Sequence, residues 1–188
     1  MKIRLPLTII IGFIAGMVIG GVMGDVILYV GAKVNSIRVA KAIKSADYLL
    51  SKDLNEKALE VYRSAAGKVS LKREPAKYAF VQNKEGIAYL KIAAASDTVS
   101  NVENAIASFR GALKVYLLSK YPLQYAETQN NLGNAYSILA DIHDNGPNAA
   151  KAIKAYNEAL KIYTPGEYPD ENKTVLQNMA RLKQKTLD

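Results

Sequence analysis

The sequence lacks several residue types on which enzyme active sites and metal sites are commonly built. Its 188 residues include no cysteine, no tryptophan and one histidine, His143. The absence of cysteine excludes a disulfide framework, a thiol redox site, an iron–sulfur cluster and a cysteine zinc site. A single histidine also excludes metal sites built from several histidines. We therefore predict no catalytic residue, no bound metal and no cofactor.

Catalytic motifs are missing as well. The chain has no glycine-rich phosphate loop, no nucleophile elbow and no HExxH zinc motif. The one candidate is Asp141-Ile142-His143-Asp144, where three potential metal ligands lie close to a loop. Polar residues that solvate a helix end account for this cluster. We predict that the protein is not an enzyme, and the His143 loop is the one feature that favours the opposite.

Charge is absent from a long stretch near the N-terminus. No Asp, Glu, Lys or Arg occurs between Leu5 and Gly24, and a further apolar run over 26–30 follows Asp25. About twenty helical residues extend about 30 Å, which matches the hydrocarbon core of a bilayer. We therefore predict a transmembrane helix within residues 1–32 and a single-pass membrane protein. A cleaved signal peptide is the alternative, since the N-terminus is basic and small residues follow the apolar run.

Glycine recurs every four residues within this stretch. Helical residues at i and i+4 share one face, so the spacing predicts a groove without side chains in which another helix can pack closely. The predicted helix-packing residues are Gly12, Gly16, Gly20 and Gly24. Their partner is either a second copy of the chain or another integral membrane protein. Asp25 lies either in the headgroup region or within the bilayer, paired with a partner group.

Basic residues are densest just after the apolar stretch, in a chain of formal net charge +8. Residues 33–50 form a predicted juxtamembrane helix with one acidic residue, Asp47. Its four cations are Lys33, Arg38, Lys41 and Lys44. We predict that they contact anionic lipid headgroups. The charges flanking the apolar stretch favour a cytoplasmic C-terminal domain, whereas the basic start of the chain favours the extracytoplasmic location that we expect.

The rest of the chain contains an internal repeat of 47 residues, which Pro75, Pro122 and Pro169 mark. Small and apolar residues dominate the other matches, which include Gly86/Gly133, Tyr89/Tyr136, Ala105/Ala152, Ala112/Ala159, Leu113/Leu160, Tyr116/Tyr163 and Tyr121/Tyr168. Within each unit, apolar residues follow the helical spacing i, i+3, i+4, i+7. Each unit is therefore predicted to be two antiparallel helices, and residues 170–187 an amphipathic capping helix.

These residues resemble the tetratricopeptide repeat, in which helix A carries a small residue and a tyrosine, and helix B carries an alanine, an aromatic residue and an alanine. The matching residues are Gly133, Tyr136, Ala152, Tyr156 and Ala159 in one unit, and Gly86, Tyr89, Ala105, Phe109 and Ala112 in the unit before it. The segment YAETQNNLGNAY at 125–136 is similar to the longer, kinesin-light-chain-like variety of the repeat. The period is 47 instead of about 34, and Gln129 stands at the usual tryptophan position. The resemblance covers about residues 35–188 and implies an all-α fold. We expect an α-solenoid of helical hairpins over 51–188.

The resemblance also implies that helix A of each repeat lines a groove for an extended peptide or a protein surface. The periodicity assigns six residues to this groove: Phe80, Asn83, Ile87, Lys91, Asn130 and Asn134. Asparagine amides at equivalent positions can pair with the backbone of a partner. The alternative is that these amides form local hydrogen bonds or face water. Nucleic acid is not a predicted partner, because no recognised nucleic-acid-binding motif is present.

Together these patterns favour a non-catalytic, membrane-anchored accessory, assembly or scaffold subunit of a larger membrane protein complex. In this interpretation the glycine face holds a transmembrane partner and the repeats dock a protein. The alternative is a free-standing, membrane-tethered adaptor that binds an extended peptide or a chaperone tail in the repeat groove.

Overall fold

The computed structural model describes residues 22–95, 98–143 and 146–185. These ranges form α-helices joined by short loops and no β-strand, which confirms the all-α prediction. The helices are α1 (Val22–Ser51), α2 (Asn55–Ala66), α3 (Pro75–Ala93), α4 (Thr98–Ala112), α5 (Pro122–His143), α6 (Gly146–Leu160) and α7 (Pro169–Lys185). The three prolines of the repeat are thus the first residues of α3, α5 and α7, where a missing backbone N–H costs no helical hydrogen bond.

Within the part of the chain that the structure describes, the prediction of a transmembrane helix and a single-pass membrane location was wrong. No helix among the described residues is long and apolar enough to cross a bilayer. Residues 5–21 of the predicted span lie outside the described residues. In α1 the uncharged residues between Asp25 and Lys33 extend only about 10 Å, a third of the required thickness. Of the predicted helix-packing glycines, Gly24 lies in α1, whereas the other three lie outside the described residues.

The chain divides into two compact units, residues 1–41 and 42–188. The described part of the first unit is the N-terminal part of α1, which carries the exposed apolar side chains of Ile27, Leu28 and Tyr29. The second unit contains the end of α1 and all of the later helices. Each helix from α2 to α7 packs against the next one along the chain, and α3 and α5 also contact α5 and α7 respectively.

Two glycines allow the helices of each hairpin to approach closely. A Cβ at Gly86 would lie 2.5 Å from the ring of Phe109, and a Cβ at Gly133 would lie 2.6 Å from the ring of Tyr156. Normal carbon–carbon contacts are about 3.5–4.0 Å. Both aromatic rings are almost fully buried, so each occupies the space that a side chain on the facing helix would need. These two contacts are 47 residues apart and are the clearest structural sign of the repeat.

The loops that lead from one hairpin to the next repeat in their hydrogen bonds as well. In the loop before α5, the backbone N–H of Tyr121 donates to the Leu117 carbonyl at 2.9 Å. In the loop before α7, the N–H of Tyr168 donates to the Thr164 carbonyl at 2.9 Å. The rings of Tyr121 and Tyr168 each pack on a second tyrosine, with centroids 5.5 and 5.7 Å apart. The 47-residue period therefore extends beyond the helices into their connections.

Candidate docking cleft

The predicted groove asparagines lie mainly inside the helical packing. Asn83 is buried, and its Nδ2 lies 3.4 Å from Oε1 of Glu127 on α5. The Oδ1 atoms of Asn83 and Asn130 are buried without a hydrogen-bond partner among the described residues. The Asn83 amide therefore packs between helices and cannot reach the backbone of an extended peptide without a rearrangement of the helices, whereas Asn130 is only partly buried.

Asn134 joins three helices. Its Oδ1 accepts hydrogen bonds from the Tyr156 hydroxyl at 2.7 Å and from Nδ2 of Asn178 at 3.2 Å. Tyr156 lies on α6 and Asn178 on α7, so this amide on α5 connects a hairpin with the helix that follows it. Burial raises the pKa of the Tyr156 phenol to about 12.

The other three predicted groove residues are only partly available. Ile87 is half-buried and packs against two core clusters. Lys91 pairs with Asp53, with Nζ and Oδ1 2.9 Å apart. Phe80 is 37% exposed, and Nζ of Lys84 lies 5.5 Å from its ring centroid. A peptide groove along these helices stays a prediction, and most of its residues have internal contacts.

The four cations predicted to contact lipid all lie on α1. The side chains of Lys33, Arg38, Lys41 and Lys44 are exposed. Nζ of Lys33 lies 5.8 Å from the ring centroid of Tyr29. Their assignment to a membrane surface depended on the transmembrane prediction and stays a prediction.

The His143 side chain lies on the surface. His143 is exposed and is the last residue of α5. Asp141, two residues before the helix end, faces Arg181 of α7, with Oδ2 and Nη1 3.6 Å apart. In the ranges that the structure describes, no three acidic, histidine or cysteine side chains are grouped closely enough to hold a metal ion. Asp144 lies outside those ranges.

A cleft of about 560 Å³ opens between α4, α5 and α6. Its floor is apolar and consists of Leu132 and Tyr136 from α5, Ala155 from α6 and Leu113 from the turn after α4. All four belong to one hydrophobic cluster, in which Leu132 and Ala155 are buried. The volume lies within the range of about 300–1,000 Å³ that is typical of ligand pockets.

The rim of this cleft is cationic. Arg110 and Lys114 lie on one side, and Lys151 and Lys154 lie on the other. All four side chains are exposed. Lys151 and Lys154 are three residues apart in α6, so they lie on the same helical face, whereas Arg110 lies in α4 and Lys114 lies in the turn that follows it. The two pairs therefore flank the apolar floor from opposite sides.

The single carboxylate on the rim belongs to Glu158, and it already has two donors. Nζ of Lys161 and the Tyr125 hydroxyl each donate to Glu158 at 2.7 Å. These hydrogen bonds, Lys161 first and then Tyr125, hold the pKa of Glu158 below its usual value. Lys161 and Tyr125 do not line the cleft. The positive charge of Lys161 therefore offsets part of the negative charge of Glu158 without reducing the number of cations on the rim. The rim consequently keeps a net positive charge.

Lys151 lies over the Tyr136 ring. Its Nζ lies 5.5 Å from the ring centroid of Tyr136 and 3.4 Å from Oδ1 of Asn148. A cation above an aromatic ring is attracted to the negative face of the ring. The ammonium group therefore lies over one face of the Tyr136 ring, beside the floor of the cleft.

The cationic rim is local to this one hairpin interface. The residues 47 positions before Arg110, Lys114, Lys151 and Lys154 are Arg63, Gly67, Asn104 and Ala107. Three of the four cations are thus absent from the equivalent positions of the preceding interface. There the buried Glu85 also replaces Leu132 of the floor, and burial raises the pKa of the Glu85 carboxyl. The helix packing of the repeat does not require the lysines at the later interface.

Sequence reasoning missed this cleft because its two sides are far apart in the chain. The cation pairs by themselves are ordinary features of exposed helix faces. The signal that could have identified them is the comparison of the two repeats, in which lysine replaces glycine, asparagine and alanine at three equivalent positions.

Comparison with known proteins assigns the chain to no group. No family model matches it, and no curated protein matches it.

Proposed function

We propose that this protein is a non-catalytic docking component, an accessory, assembly or scaffold subunit that holds another protein on an array of helical hairpins. The array is a short α-solenoid of the tetratricopeptide type. In support of that assignment, the contacts of Gly86 with Phe109 and of Gly133 with Tyr156 recur at an interval of 47 residues. Hairpins of this kind stack because one pair cannot cover its own apolar face.

The observation that supports docking is the cleft between α4, α5 and α6, with an apolar floor and four exposed cations on its rim. An interface that binds a protein segment typically combines an apolar centre with a polar edge. The floor offers burial for one or two apolar side chains, and the rim offers charge to orient them. Neither contribution requires a chemical step.

A photo-crosslinking residue at position 154 tests the proposal in cells that express the full chain. Lys154 lies on the rim of the cleft, and Ala107 is its exposed equivalent at the preceding interface. We expect a defined protein to be crosslinked from position 154 and not from position 107, with the crosslinked peptide identified by mass spectrometry. Equal products from both positions, or none from position 154, would refute docking at this cleft.

A further inference from the structure

The chemistry of the cleft narrows the kind of segment that it can hold. A ligand must place apolar surface on Leu132, Tyr136 and Ala155 to replace the water above them. It must also carry negative charge on both sides of that apolar surface, because cations flank the floor on both sides. A purely apolar peptide would form no ion pair with the rim, and a purely acidic peptide would leave the apolar floor in contact with water.

We propose that the cleft binds an acidic peptide segment in which one apolar side chain lies between carboxylates. The apolar side chain packs on Leu132 and Tyr136. One carboxylate pairs with Arg110 or Lys114, and another pairs with Lys154 on the opposite side. This inference rests on the proposed docking function and adds the identity of the partner's recognition segment.

The surface involved differs from the groove that the sequence predicted. The cations come from α4, the turn that follows it and α6, whereas the predicted groove residues come from α3 and α5. In each hairpin α4 and α6 are the second helices. The cleft therefore lies where two second helices flank α5, and none of the predicted groove residues lines it.

Charge and geometry favour a peptide over two other occupants. A second copy of the chain is a poor partner for a cationic rim, because each copy carries a formal net charge of +8. Single-stranded nucleic acid binds through base stacking on aromatic rings as well as through phosphate contacts. Tyr136 contributes the one aromatic ring among the residues that line the cleft, so the cleft offers stacking for one base at most.

The test uses the purified full-length chain and a fluorescent probe peptide, Gly-Asp-Glu-Leu-Asp-Glu-Gly, in an anisotropy titration at low salt. Two matched peptides separate the contributions of charge and of the floor. One replaces the leucine by serine, and the other replaces every acidic residue by its amide. We expect each replacement to weaken binding at least fivefold, and added salt to weaken binding of the original probe.

Charge-reversed proteins locate the site. The double variant Lys114→Glu with Lys154→Glu removes one cation from each side of the cleft. The control, Lys57→Glu with Lys72→Glu, makes the same change in net charge at exposed positions elsewhere. We expect at least tenfold weaker binding for the cleft variant and less than a twofold change for the control. All four lysines are exposed, so the melting temperatures of both variants should stay close to that of the original protein, a condition checked by circular dichroism.

Several outcomes would overturn the inference. One is equal loss of binding in both double variants, which would indicate bulk attraction. Another is a serine peptide that binds as well as the leucine peptide, which would indicate that the floor is unused. A third is an oligonucleotide of the same charge that displaces the probe as effectively as unlabelled peptide, which would indicate a general polyanion site. If crosslinking at position 154 identifies a protein while the probe does not bind, docking stands and the acidic recognition segment is refuted.

Discussion

Because α5 and α6 approach closely at Gly133, we predict that the variant Gly133→Ala is less stable than the original protein. The new Cβ would lie 2.6 Å from the Tyr156 ring, about 1 Å inside a normal carbon–carbon contact. The ring has little room to retreat, since Tyr156 is 1% exposed and its hydroxyl donates to Asn134 at 2.7 Å. One of the two helices must move, or the ring must leave its position.

Two opposing effects determine the magnitude. Alanine in place of glycine in a helix interior stabilises the folded state by about 1 kcal/mol through its greater helix propensity. Overpacking a filled core typically costs about 1–3 kcal/mol. Because the contact is with a buried ring and not with a flexible chain end, we expect the second effect to dominate. The expected net loss is about 1 kcal/mol, or about 2–4 °C in melting temperature for a chain of this size.

The assay is thermal unfolding followed by far-UV circular dichroism, with Gly146→Ala as the control. Gly146 lies in α6, and a Cβ there would meet nothing within 4 Å. This control should leave the melting temperature unchanged or raise it slightly. Gly86→Ala is a second test of the same contact, because its Cβ would lie 2.5 Å from the Phe109 ring, and it should lower the melting temperature as Gly133→Ala does.

A double-variant cycle identifies the cause. Replacing Tyr156 by leucine removes the ring that the new methyl group would strike. In the Tyr156→Leu background, Gly133→Ala should therefore be neutral or stabilising, a change of sign relative to the original protein. A Gly133→Ala protein as stable as the parent, or a loss of stability that persists in the Tyr156→Leu background, would refute the steric explanation.

Two further predictions concern polar groups inside the array. Asn134→Ala leaves the buried Tyr156 hydroxyl without its acceptor, which should cost about 1–3 kcal/mol in urea unfolding; an unchanged midpoint would contradict an internal role for this amide. Burial raises the pKa of the Glu85 carboxyl, so the folded state binds its proton more tightly than the unfolded state, and this group's contribution to stability is lost as pH rises through the folded pKa. In the original protein Nε2 of Gln82 donates to Glu85 at 2.6 Å, and Glu85→Gln keeps an acceptor for this hydrogen bond. The variant should have a higher melting temperature than the original protein at pH 7, and the difference should disappear as the pH falls toward about 4. A lower melting temperature of the variant at pH 7 would contradict this prediction.

The sequence predicted the helices of the repeat region because their causes are local. Helix formation follows from apolar spacing within one or two turns and from breakers such as proline. Pro75, Pro122 and Pro169 are accordingly the first residues of three helices. The transmembrane prediction also used a local criterion, an uncharged stretch, of which residues 5–21 lie outside the described residues. No described helix is long and apolar enough to cross a bilayer.

Which polar side chains are exposed and which contact a neighbouring helix could not be predicted from local patterns. Asn83 and Asn134 have the spacing of exposed groove residues, yet they contact Glu127 and Asn178 across neighbouring helices. Both contacts join residues 44 positions apart, which is one helical turn less than the repeat. That offset depends on how one hairpin packs against the next, and helical periodicity within a single element contains no information about it.

The sequence by itself determined an all-α chain with a 47-residue period, in which glycines recur at Gly86 and Gly133 and prolines recur at the starts of three helices. Only the tertiary structure decided which of these features face each other. Arg110 and Lys151 are 41 positions apart, and they line one cleft because α4 and α6 both pack against α5. Periodicity is a property of each helix alone, whereas a binding site depends on the contacts between helices.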